Sequence, residues 1–98
     1  MSENRSHKTT ANRIANKYGT EYNDGKGVDI KYKRATIEVE TEETAAEALG
    51  QLRGHRGPAY IAGTNKEATE KALEVTNGTT IGVMDNKGDI IKSSTRKK

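Results

Sequence analysis

Asp29, Glu38 and Glu40 lie in two short runs, Val28-Asp29-Ile30-Lys31-Tyr32-Lys33 and Thr36-Ile37-Glu38-Val39-Glu40, in which apolar and polar residues alternate. A period of two marks a strand with one covered face, so the acids point away from Val28, Ile30, Tyr32, Ile37 and Val39. With a turn at Arg34-Ala35 the runs pair as a hairpin that sets Asp29 across from Glu40 and Lys31 across from Glu38. Three carboxylates and an ammonium on one sheet face form the layout of a divalent-cation site for phosphodiester hydrolysis. Oxygen ligands there hold Mg²⁺ or Mn²⁺, and a lysine steadies the attacking water or the phosphate charge. The same residues also make an ordinary solvated hairpin face, whose Lys/Glu cross-strand pairs contribute roughly 0.2–1 kcal/mol each. Register decides between the two, because a one-residue slip sends the carboxylates to opposite faces.

Positioning these residues falls to a small scaffold. The chain has 98 residues, room for one domain, with only three Leu, seven Ile, four Val and no Phe or Trp. So thin a core leans toward disorder by composition. Against that, the apolar residues fall at strand and helix periods with turn signals between them, and the net charge is a modest +3. The expectation is a folded domain of marginal stability, helped by a second copy. With no cysteine, disulfides and thiolate metal sites are excluded, and His7 and His55 are the only imidazoles. No run reaches the length of a membrane span, and Met1-Ser2-Glu3-Asn4-Arg5 lacks the apolar stretch of a secretion signal, so a cytoplasmic location with no membrane contact is expected. Positive charge gathers at Lys31, Lys33 and Arg34, at Arg53 and Arg56, and in the tail Arg96-Lys97-Lys98, which permits contact with a phosphate backbone.

Along the chain, residues 1–8 read as a loose polar start, 9–92 as a single α/β domain and 93–98 as a basic tail. From Thr9 or Thr10 as N-cap, Ala11, Ile14, Ala15 and Tyr18 recur at helical spacing until Gly19. Asn23-Asp24-Gly25-Lys26-Gly27 is a turn cluster that leads into the hairpin. Residues 42–53 read as a helix with acids in its first turn and an Ala45/Ala48/Leu49/Leu52 stripe. The run Ala59-Tyr60-Ile61-Ala62 is a buried strand, which makes strand, helix, strand a parallel crossover. A helix capped by Thr64 or Asn65 runs to Asn77-Gly78, and residues 80–84 and 89–92 flank Asp85-Asn86-Lys87-Gly88 as a closing hairpin. The order α-β-β-α-β-α-β-β describes a small mixed sheet flanked by helices.

Gly27-Val28-Asp29-Ile30, Ile37-Glu38-Val39-Glu40, a helix bearing Gln51-Leu52 and the strand Pro58-Ala59-Tyr60-Ile61-Ala62 together resemble the PD-(D/E)xK, or restriction-endonuclease-like, nuclease superfamily, in particular its minimal archaeal resolvase and mismatch-nuclease branch. The resemblance spans roughly residues 9 to 62 and implies a restriction-endonuclease-like core. It implies Asp29 and Glu38 as metal ligands, Gln51 as an orienting residue and Glu40 in place of the family lysine. Glu-x-Glu replaces Glu-x-Lys here, which leaves Lys31 or Lys33 on the neighbouring strand to supply the ammonium. The first helix carries no central glutamate, where resolvase-type members have one, and Glu21 lies past the helix end.

Two functions follow as expectations. One is a metal-dependent endonuclease acting on duplex or branched DNA as a homodimer: Asp29, Glu38 and Glu40 hold Mg²⁺ or Mn²⁺, Lys31 or Lys33 stabilises the phosphate, and Lys33, Arg34, Arg53, Arg56, Arg96, Lys97 and Lys98 grip the backbone. The other is a relative of that fold without catalysis, a nucleic-acid- or protein-binding module. An unrelated small α/β adaptor with a charged hairpin is the third reading of the same residues.

Overall fold

A computed structural model describes residues 5–22, 30–33, 35–53 and 57–95, with the side chains of residues 5, 6 and 53 left aside. Its elements are α1 (Arg5–Lys17), β1 (Ile30–Tyr32), β2 (Ala35–Glu40), α2 (Ala45–Arg53), β3 (Ala59–Gly63), α3 (Lys66–Val75), β4 (Gly82–Met84) and β5 (Ile90–Lys92). The strands form one five-stranded mixed sheet in the order β1-β2-β3-β4-β5. The outer pairs β1/β2 and β4/β5 are antiparallel hairpins, and β2, β3 and β4 run parallel. Each parallel step crosses over through one helix, as parallel neighbours require.

Alternation along β2 and β3 assigns the two faces. Ile37, Val39, Tyr60 and Ala62 meet Ala11, Ile14 and Ala15 of α1, together with Ile30 and Met84. Ala59, Ile61 and Val83 meet Ala48 and Leu52 of α2 and Ala72 of α3 on the other side. The helices contribute mostly alanine to these cores, which lets them lie close to the strands. Gly63 is an extreme case, because a methyl group there would run into the backbone nitrogen of Thr69 and lie 2.6 Å from its hydroxyl. Edge strand β5 leaves Ile90 and Ile91 about half exposed, at 49% and 50%.

Local signals explain the boundaries. Gly19, at φ 69°, ends the turn after α1. Helix α3 starts at Asn65, whose Oδ1 accepts the Ala68 N–H at 2.8 Å. Three expectations are corrected. Helix α1 begins at Arg5 rather than at Thr9 or Thr10, and Thr10 lies buried inside it. Polar residues carry no apolar period, so its first turn left no mark in the pattern. Helix α2 begins at Ala45, because Thr41 to Thr44 fold into a turn in which the Thr44 hydroxyl accepts the Thr41 N–H at 3.0 Å. In the first hairpin Tyr32 pairs with Ala35, so Ala35 belongs to the strand and not to the turn. Lys33 sits there at φ 55°, the left-handed conformation that the tight hairpin turns demand.

Candidate functional site

That turn shifts the register by two residues. Ile30 stands opposite Ile37 and Lys31 opposite Thr36, so the expected pairing of Lys31 with Glu38 does not form. A two-residue shift preserves facing, and Lys31, Thr36, Glu38 and Glu40 still share the side covered by α2 and α3. Lys31 is exposed at the sheet edge, diagonal to Glu38. The expected pairing of Asp29 with Glu40 falls on a residue outside the described ones, as do Arg34, Arg56, Arg96, Lys97 and Lys98. Arg53 closes α2, and its side chain is likewise outside them.

Glu38 is 5% exposed and stands beside Ile61 of β3. Glu40, two residues on, is half-buried beside Gly63, and its carbonyl accepts the Thr64 N–H at 3.0 Å. A carboxylate this deep is tolerated only with polar or charged company. Glu38 and Glu40 are hard oxygen donors of the kind Mg²⁺ or Mn²⁺ takes. Among the described residues, no three acidic or imidazole side chains converge on one point. Gln51 is exposed on α2, off the Ala45/Ala48/Leu52 stripe that meets the sheet. At the carboxyl ends of β3 and β4 an open cleft of about 380 Å³ is lined by Lys66, Thr69 and Glu70 of α3 and by Asp85, Asn86 and Lys87 of the closing turn, with Ile91 beside them.

The opposite side of the sheet has a different chemistry. Helix α1 contains Lys8, Arg13 and Lys17 and no acidic residue. Lys8, Thr9, Asn12, Arg13, Asn16 and Lys17 are all exposed. Three bonds hold the end of the helix to the β4–β5 turn. Arg13 Nη1 donates to the Asn86 carbonyl at 3.1 Å, Lys17 Nζ to Asp89 Oδ1 at 2.9 Å, and the Tyr18 hydroxyl to the Gly88 carbonyl at 2.6 Å. The bond to Asp89, and then the charge of that carboxylate, raises the Lys17 pKa above its usual value, while burial pushes the Tyr18 phenol up.

All the aromatic rings lie on this side. Tyr60 is in the α1 core, and Tyr18 and Tyr22 pack against it. Tyr32 packs against Tyr18 in a tilted arrangement, with ring centroids 5.0 Å apart and planes inclined at 43°. Lys17 Nζ lies 5.9 Å from the Tyr18 ring centre and Lys33 Nζ 5.4 Å from that of Tyr32. The α2/α3 layer instead presents Glu42, Glu43, Glu47, Glu67, Glu70 and Glu74 at its surface, with Lys66 and Lys71 among them. Sequence reasoning missed this division. Its signal was there, in a thirteen-residue helix without an acid.

Comparison of the chain with known protein families, with curated proteins and with solved structures returns no match. No described helix is long and apolar enough to cross a membrane.

Proposed function

We propose that this protein is a nucleic-acid-binding module that receives the phosphate backbone on the α1 side of its sheet. The observation that carries the reading is the sign of the two helical layers: the exposed face of α1 is basic and free of acid, and the α2/α3 layer is rich in glutamate. A polyanion is drawn to the first and repelled by the second, and short-range contacts from Lys8, Asn12, Arg13 and Asn16 would then fix its position. Lys33, on the adjoining hairpin turn, extends the same surface, and Arg34 follows it in sequence.

The test is fluorescence anisotropy with labelled oligonucleotides in EDTA at several salt concentrations. Binding weakens with added salt, and Lys8→Glu/Asn16→Asp lowers affinity about tenfold because it replaces attraction by repulsion at the phosphates. Glu67→Gln/Glu70→Gln on the other layer changes it less than about twofold. Absence of binding at low salt to single-stranded and duplex probes alike would overturn the reading.

A second reading, the metal-dependent endonuclease, is favoured by Glu38. A carboxylate buried on an inner strand, with Glu40 beyond it on the same face, is the start of an oxygen-ligand set, and Asp29 immediately precedes Ile30, the partner of Ile37. In this reading Asp29, Glu38 and Glu40 hold Mg²⁺ or Mn²⁺, which supplies Lewis-acid stabilisation of a phosphodiester under attack. The sheet would then be a restriction-endonuclease-like core, and two copies would present two centres. The displaced Lys31 and the glutamate-rich layer on the Glu38 side place this reading second. A residue-resolved Mn²⁺ titration by NMR separates the two: localised broadening around Glu38 that disappears in Glu38→Ala supports the nuclease, and uniform weak broadening removes it.

A further inference from the structure

The tilted ring pair Tyr18–Tyr32 lies where α1 ends and the first hairpin turns, at one end of the basic face. Both rings are half-buried, so their positions are fixed before anything binds. The bond from the Tyr18 hydroxyl to the Gly88 carbonyl holds that ring, and Tyr32, the last residue of β1, rests against Tyr18. Each ring has a lysine ammonium within 6 Å of its centre, Lys17 over Tyr18 and Lys33 over Tyr32. Lys33 is exposed on the turn. Lys17 is also paired with Asp89, the acid nearest to the platform in the described bonds, which leaves Lys33 as the stronger cation there.

We propose that Tyr18, Tyr32, Lys17 and Lys33 form a stacking platform for unpaired bases, so that the module prefers single-stranded nucleic acid to duplex. The inference rests on the nucleic-acid-binding reading and names its substrate class. In a duplex each base face is covered by its neighbours, and only an unpaired base offers a face to an aromatic ring. Preordered rings lose little freedom on binding, and the flanking ammonium groups meet the phosphates on either side of a stacked base. Nothing in the platform reads base edges, so the preference is for strandedness and not for sequence. The α1 face then carries the rest of the strand away from the platform.

Titrations of fluorescein-labelled dT12, U12 and a 12-base-pair duplex in EDTA test the proposal, with dT12 and U12 distinguishing DNA from RNA. The wild type binds at least one of the single strands about tenfold more tightly than the duplex, and Tyr32→Leu lowers that affinity about tenfold. Tyr32→Phe, which keeps the ring, stays within about twofold of wild type. Lys33→Gln reduces the salt slope by about one unit without affecting the fold, since its side chain is exposed. The chain has no Trp, so quenching of tyrosine emission by unlabelled dT12 or U12 reports on stacking directly, even where Tyr32→Leu fails to fold. Equal binding of duplex and single strands, unquenched tyrosine emission and no loss in Lys33→Gln would overturn the platform and leave the binding module standing. No binding of any probe would remove both.

Discussion

The two sides of the sheet hold their helices by different means. On the α2/α3 side the seat is packing: α3 approaches β3 so closely that Gly63 has no room for a methyl group, and Asn65 closes the helix start with a side-chain bond. On the α1 side Ala11, Ile14 and Ala15 supply a small apolar contact, and Arg13, Lys17 and Tyr18 add polar tethers to the β4–β5 turn. Packing is insensitive to protons and salt, whereas bonds between exposed charged groups respond to both. The side with adjustable tethers is also the side whose exposed helix face is basic.

The largest effect that would break this contrast is at Gly63. Gly63→Ala forces α3 away from β3 and costs about 3 kcal/mol, read as a lower denaturant midpoint in urea unfolding. An unchanged midpoint would mean that α3 is not seated by close approach. On the other side Tyr18→Phe removes one tether and takes its partner from the carbonyl of buried Gly88, a loss of about 1 kcal/mol by the same measurement.

The smallest effect concerns alkali. Lys17 and Tyr18 both have pKa values raised above their ordinary 10.5 and 10.0. The folded chain therefore keeps protons that the unfolded chain releases. The associated stability is present in full below about pH 10 and is lost as pH rises through the folded values. Lys17 is exposed, so solvent screens most of its share. Melting curves from about pH 8 to about 11 should fall less steeply in Asp89→Asn, which lacks the partner of Lys17. Identical slopes in the two proteins would assign the alkaline loss to Tyr18 alone.

How much of this was legible in the sequence follows the range of the forces involved. Alternation in residues 36–40 and 59–62 and the turn signals at Gly19, Asn65 and Asp85-Asn86-Lys87-Gly88 are local, and they sufficed to place helices and strands in a small mixed sheet. The hairpin register was not local in that sense. It turned on Lys33 accepting a positive φ that the sequence gives no glycine or asparagine to announce. The depth of Glu38 was also hidden, because the residue is buried by Ile61 on a strand that arrives more than twenty positions later and by the helix layer above it. Facing, which depends only on parity, survived the register error. That is why Lys31, Glu38 and Glu40 share a side as expected although Lys31 does not meet Glu38.

The bonds from Arg13, Lys17 and Tyr18 to residues 86–89 span some seventy positions of the chain. Of the described elements α1 comes first in the chain, yet its tethers exist only once the final hairpin has been made. The seat of the first helix is therefore complete only when the final hairpin is in place. A chain cut short before residue 86 would carry α1 without any of these three bonds.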